Sequence, residues 1–205
     1  MTAQHPPLLE SAVDSSPFRQ FEAWYAHAQS LGMKHGDAVT LATATRDGIP
    51  SARMVLLKGH DRNGFVFYTN YESQKARELS ENPRACLVFF WSSLDRQIRI
   101  VGTVTKISRE ESEAYFRTRP RGSQIGAWAS QQDEVLPNRE VLDTKAAEIA
   151  QTYEGKDVPL PPSWGGYRVS PTSIEFWQGR EDRLHDRLRY TRRADGSWRI
   201  ERLSP

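Results

Sequence analysis

The stretch EFWQGREDRLHDR, residues 175–187, sets Arg183, His185 and Arg187 at every second position, close to Trp177. On a helix that spacing turns each side chain about 200° from the last, whereas on a strand it lines all three up on one face. Ile174 and Phe176 alternate with Glu175 and Trp177, which favours the strand. A row of Arg, His and Arg beside a flat aromatic wall is a seat for an anion, since like charges in one row repel unless something negative sits among them. A solvated charged segment is the plainer alternative.

Three further clusters carry chemistry. In RMVLLK, residues 53–58, Arg53 and Lys58 bracket four apolar residues with opposite parity, so a simple strand points them to different faces; solvated strand ends are the plainer reading. In FYTNYESQK, residues 67–75, a strand hands over to a helix whose first turn offers free N–H groups, the hydroxyls of Thr69 and Ser73, and Lys75. Such a junction suits a phosphate, and ordinary capping by Ser73 accounts for it equally well. In YFRTRPRGS, residues 115–123, Tyr115 and Arg119 share a helix face and Ser123 turns back from the loop beyond Pro120. A phenol, a guanidinium and a hydroxyl converging there would hold a phosphate, Arg bidentately; the alternative is Tyr115 and Phe116 packed on the core with solvated arginines. Two phosphate-ready clusters, an aromatic wall and a cationic strand suggest a phosphorylated cofactor beside a phosphorylated substrate.

The elements that must position these groups follow from pattern. Residues 1–14 mix Pro, Ser and acids without apolar period and read as a disordered N-terminal segment, leaving 15–205 as a single domain. Pro17 opens a helix with Phe18, Phe21, Trp24, Tyr25 and Ala28 at helical spacing. From Ala38 the period changes to that of strands, and AVTLATAT, SARMVLLKG and FVFYTN read as a three-stranded meander. SQKARELSENP reads as a short helix, RACLVFFW as a strand buried on both faces, DRQIRIVGTVTKIS as an alternating strand, and REESEAYFRTRP as a helix closed by proline. A polar helix over 137–154 precedes four strands, YRV, SIEFWQ, RLHDRLRYTRR and SWRIERL, the last two joined by a tight turn. The expected fold is mainly β with flanking helices, an α+β chain built on a small barrel.

Composition bounds the function. The 205 residues carry a net charge of +2, which asks for no nucleic acid, and the arginines near the C-terminus are diluted by Asp182, Asp186, Asp195 and Glu201. The single cysteine, Cys86, excludes a disulfide within the chain and reads as a buried thiol rather than a nucleophile. No apolar run approaches the roughly 20 residues that span a bilayer, no leader pattern opens the chain, and a reducing cytoplasm is the expected compartment.

IEFWQGREDRLHDR, together with RMVLLK, FYTN, RQIRIVG, YFRTRPRGSQIGAW and WRIERLSP, closely resembles the pyridoxine (pyridoxamine) 5′-phosphate oxidase family, in order from about Phe18 to Pro205. The resemblance implies a split β-barrel and a homodimer with FMN in the interface between subunits. It implies oxidation of pyridoxine or pyridoxamine 5′-phosphate at the 4′ carbon by hydride transfer to FMN N5. Reoxidation by O2 then gives hydrogen peroxide, and the amine substrate releases ammonia. By the same resemblance Arg53, Thr69, Gln74 and Lys75 hold the FMN phosphate. The run Met54, Val55, Leu56, Leu57 and Lys58, with Tyr68 and Gln97, addresses the flavin, and Gln132, Trp177 and Arg187 complete the site from the other subunit. Lys58, Tyr115, Arg119 and Ser123 bind the substrate phosphate, while Arg183 and His185 face the pyridine ring as the catalytic pair. No metal is expected.

Three positions depart from the family pattern: Gln74 where many members have Arg, Asp133 where a Ser serves the flavin, and no Arg-x-x-Tyr spacing before Phe18. Two rival readings remain, a flavin oxidase of another reduced heteroaromatic such as a phenazine precursor, and a noncatalytic binder of FMN or pyridoxal phosphate. The first would not need Lys58, Tyr115, Arg119 and Ser123 together; the second would not need Arg183 and His185.

Overall fold

The computed structural model describes residues 6–33 and 35–205. Ser16, in extended conformation, precedes α1 (Pro17–Ser30), whose first position suits a residue with no N–H to satisfy. Phe21, Trp24 and Ala28 lie on its inner stripe, and Phe21 is fully buried with its ring 4.8 Å from Phe65 and 5.4 Å from Phe89. This helix therefore plugs the barrel that follows.

Among the described residues nine strands form one antiparallel sheet. They are β1 (Ala38–Ala44), β2 (Pro50–Leu56), β3 (Gly59–Asp61), β4 (Gly64–Asn70), β5 (Arg84–Trp91), β6 (Arg96–Lys106), β7 (Trp164–Gln178), β8 (Asp186–Arg192) and β9 (Trp198–Arg202). The order is β2-β1-β5-β6-β7-β4-β3, with β8 on β7 and β9 on β8. Because β3 follows β2 after two residues and pairs with β4, and Lys58 N donates to Val66 O at 2.9 Å, both ends of this path belong to one segment and the sheet curls shut. Among the described residues five α-helices lie outside or across it: α1, α2 (Gln74–Glu81), α3 (Arg109–Thr118), α4 (Arg121–Ala129) and α5 (Arg139–Thr152).

The structure corrects several expectations. The meander is not formed: β4 leaves β2 and pairs with β7 and β3, since barrel closure separates strands that are neighbours in sequence. YRV and SIEFWQ are one 15-residue strand, β7, which spans the polar SPTS stretch with a register shift opposite Val101 and Gly102. Ser123 sits in α4, not in a loop, because Pro120 ends one helix and serves as N-cap of the next. The predicted disorder of 1–14 falls partly on residues 1–5, which lie outside the described residues. Residues 6–14 are instead held in place: Leu8 is buried and the Tyr190 hydroxyl donates to Asp14 O at 2.7 Å.

RACLVFFW is buried on one face only. Ala85, Leu87, Phe89 and Trp91 point inward, while Phe90 is 60 % exposed. Strand register puts Met54, Val88, Phe90 and Val101 on the same outer face, and Met54 (60 %) and Val101 (41 %) are exposed as well. An apolar strand signals two apolar faces, but nothing among the described residues covers the second.

Gly64 sits at φ +139° where β4 turns in against β7. A Cβ there would land on the Val169 carbonyl. Gly64→Ala is expected to destabilise the fold by on the order of 3 kcal/mol, through backbone strain and parting of the two strands. A urea midpoint equal to that of the parent protein would refute this.

Candidate functional site

A cleft of about 940 Å³ opens beside β2, the end of β4, and helices α2 to α4. It brings together Arg53, Met54, Val55, Leu56, Lys58, Tyr68, Thr69, Gln74, Lys75, Tyr115, Arg119, Ser123 and Gln132, which the sequence had nominated from four separate stretches.

At one end the donors converge on α2. The Lys75 side chain is buried, burial pushes its ammonium below the usual lysine value, and it makes no hydrogen bond or ion pair with any described residue. Arg53 donates to Thr43 Oγ1 at 2.6 Å and to Leu41 O at 3.2 Å, and lies 3.5 Å from Glu78. Glu78, itself buried, collects the hydroxyls of Thr43 and Ser51 and the Gln74 amide at 2.9 Å. These bonds outweigh the burial that would raise it and hold its carboxyl below the usual range. The Ser73 side chain does not cap the helix N-terminus, since its hydroxyl donates to Asn70 O. Asp133 reaches across and accepts from Gln74 N at 2.7 Å.

At the other end the rings stack. Tyr68 lies 3.9 Å from Tyr115 and 5.3 Å from Trp164, all nearly parallel. Burial pushes the Tyr68 phenol up to about 12, so it stays an O–H donor. Gly166 lets β7 pass this close, since a Cβ there would strike Ile107 and Tyr68. The Arg119 guanidinium rests 4.6 Å over the Trp164 ring, and its Nη1 is buried with no hydrogen-bond partner among the described residues. Lys58 is engaged by Asp37 at 2.7 Å. Trp164 and Asn70 line the cleft without having been singled out in the sequence: the first lies just before the strand read from YRV, and the second is the last residue of the strand FVFYTN.

The remaining nominated residues lie elsewhere. Leu57 is buried in the core, so its side chain is absent from the cleft. Gln97, Trp177 and Arg187 are direct cross-strand partners on β6, β7 and β8, in the same row as Phe90. They therefore share the exposed outer face with Met54 and Val101. Gln132, expected from the other subunit, belongs to this chain's own cleft and accepts from Thr69 at 3.2 Å. Arg183 and His185 are not on a strand: β8 begins at Asp186, and the two residues lie in the segment 179–185, where Arg183 adopts φ +60°. The alternation of Arg and His arose from a turn, so period alone misread it. His185 packs 4.6 Å from Trp177 and accepts from Arg180 N at its Nδ1, 3.1 Å away. The Arg183 guanidinium is exposed and makes no hydrogen bond with any described residue.

Two buried cationic groups with unused hydrogen-bonding capacity, Lys75 Nζ and Arg119 Nη1, open on one cleft between hydroxyls and a parallel aromatic stack. That donor set fits a planar phosphorylated cofactor and a second phosphorylated ligand. A solved pyridoxamine 5′-phosphate oxidase-related, FMN-binding protein from Nostoc punctiforme has the same fold, with a TM-score of 0.74 over 93 % of this chain and 98 % of its own at 18 % identity. The protein is a split barrel of this fold.

Residues 28–153 match the family model for pyridoxamine 5′-phosphate oxidase, and residues 164–205 match the pyridoxine 5′-phosphate oxidase C-terminal dimerisation region. The pyridoxine/pyridoxamine 5′-phosphate oxidase of Rubrobacter xylanophilus is 57 % identical over 97 % of this chain and 91 % of its own length; that of Bordetella petrii is 54 % identical over 97 % and 93 %. PhzG from Burkholderia lata, solved with tetrahydrophenazine-1-carboxylic acid, superimposes with a TM-score of 0.93 at 32 % identity over the whole of both chains. The chain belongs to the pyridoxine/pyridoxamine 5′-phosphate oxidase family, an FMN-dependent oxidase family.

Proposed function

We propose that this chain is a homodimeric oxidase that converts pyridoxine 5′-phosphate and pyridoxamine 5′-phosphate to pyridoxal 5′-phosphate, with O2 as the electron acceptor, in the reducing cytoplasm. The reading treats residues 15–205 as one functional domain. It is carried by the two unclaimed buried cations in one cleft, Lys75 Nζ and Arg119 Nη1. When bound, FMN supplies a hydride acceptor at its N5 and passes the electrons to O2.

The chain's own groups supply position and electrostatics. Lys75, Arg53 and the Thr69 hydroxyl hold the cofactor phosphate, with the backbone of Val55 and Leu56 along the flavin. Arg119, Tyr115 and Ser123 hold the substrate phosphate, and Lys58 joins them on leaving Asp37. Gln74 and Asp133 depart from the family pattern together: here the amide ties to Glu78 and the acid caps α2, so neither is counted among the phosphate donors. A guanidinium offers donors and no acceptor, so Arg183 holds the ring and stabilises charge rather than taking a proton. His185 receives the Arg180 N–H at Nδ1, which leaves Nε2 to carry the ring proton and donate toward the substrate.

The dimer is supported by the exposed outer face, where Phe90 continues into the row Gln97, Trp177 and Arg187, and where cleft residues Met54 and Leu56 also lie. A second copy seated there would bring its row toward the FMN cleft of the first. Phe90→Glu is expected to turn the dimer into monomer on light scattering and to strip FMN from the protein. A Phe90→Glu protein that stays dimeric with full FMN would reject this face.

The deciding experiment is anaerobic. The FMN-loaded protein is mixed with pyridoxine 5′-phosphate or pyridoxamine 5′-phosphate while the visible flavin absorbance is followed. Bleaching that reverses on admitting air, with pyridoxal phosphate formed, is expected. Bleaching by a tetrahydrophenazine carboxylic acid and by neither vitamer would favour the second reading, which the likeness to PhzG supports.

A further inference from the structure

The segment 179–185, which carries Arg183 and His185, connects β7 to β8 in a strained path. Asp182 (φ 55°) and Arg183 (φ 60°) both occupy the left-handed region without being glycine. Consecutive residues of this kind persist only where their surroundings hold them there. At the entry, Gly179 N donates to Asp95 O at 2.7 Å.

At the exit stands Asp186, which no part of the reaction above uses. Its Oδ2 accepts from Arg180 Nε at 2.7 Å, within the strained segment, and from Leu8 N at 3.1 Å, near the other end of the chain. Its Oδ1 accepts from Arg202 Nη1 at 2.8 Å, on β9. Arg202 in turn clasps both oxygens of Glu10, each at 2.9 Å, and donates to Leu8 O at 2.7 Å. The Leu8 side chain is buried against the core, and the Asp186 side chain is only 15 % exposed. One carboxylate thus gathers three donors from segments far apart in sequence, and charge-assisted bonds of this kind are the strong ones.

We propose that Asp186 is a positioning residue for the oxidation: it fastens the strained segment 179–185 to β9 and to the N-terminal segment 6–14, which thereby helps hold Arg183 and His185 in working geometry. This rests on the assignment of Arg183 and His185 to the substrate. Asp186 and Arg202 touch neither cofactor nor substrate in that assignment, so their effect must pass through the backbone they tie down.

The test pairs hydrogen–deuterium exchange of the FMN-loaded protein with steady-state kinetics. Asp186→Asn is expected to speed exchange within 179–185 by about tenfold or more while β6 stays protected. It should lower kcat by about tenfold with FMN content unchanged. A chain lacking residues 1–10 should show both effects, and adding Asp186→Asn to it should change them by less than about twofold, because both act on one clasp. Unchanged exchange at 179–185 in either variant overturns the proposal, as does a fall in kcat without faster exchange there. If Asp186→Asn also exposes β6, Arg202→Gln is read by the same criteria. Failure of the parent protein to oxidise either vitamer would sink the functional assignment alone, since the exchange readout does not depend on turnover.

Discussion

Arg183→Ala is expected to lower kcat by about 10²- to 10³-fold while the protein keeps its FMN, the range that follows loss of one charged group aimed at developing charge. The guanidinium has no partner among the described residues, so it is free to meet the substrate, and its strained backbone aims it away from the core. Arg183→Lys keeps the charge but not the planar fork, so a partial recovery of kcat would separate charge from geometry. KM should move little in either variant, because the phosphate is gripped elsewhere. Normal turnover in the alanine variant would remove Arg183 from the chemistry, and loss of FMN would show a cofactor role instead.

Arg119→Ala should act at the other end of the cleft and on the other kinetic constant. Arg119 lies over Trp164, flanked by Phe116, with Nη1 buried and unpaired, so the site holds a guanidinium whose hydrogen bonds await an anion. A charge-assisted pair is worth roughly 1.5–3 kcal/mol, which corresponds to a rise in KM for pyridoxine 5′-phosphate of about 10- to 100-fold with kcat nearly unchanged. The same substitution should leave KM for unphosphorylated pyridoxine almost where it was. An equal rise for both substrates would mean that Arg119 shapes the cleft and does not read the phosphate.

Arg119 illustrates what local sequence determines. Tyr115 lies in the last turn of α3 and Arg119 is its C-cap, so spacing four apart carried both to one side of a helix end, and packing against Trp164 then holds Arg119 in the cleft. The strand–helix junction at Tyr68 to Lys75 was legible for the same reason: a period change from two to 3.6 leaves a helix start beside a strand end. The strand alternation of AVTLATAT and the helical stripe of Phe21, Trp24 and Ala28 likewise reflect a backbone period that the local chain obeys.

Tertiary structure decided the rest. Asp133, rather than Ser73, caps the start of α2, because a capping partner is chosen by what folds against the helix, here from 59 residues away. Arg183 and His185 left the strand that their spacing suggested, because Asp186 and Asp95 pin the chain into a turn that overrides local preference. RACLVFFW announced two apolar faces, yet which one would be covered within the chain depended on the curl of the whole sheet. The residue types and their periods were written locally. The pairing of β4 with β7, the hub at Asp186 and the outer-face row from Phe90 to Arg187 arise from contacts between distant segments, whose free energy no local pattern contains.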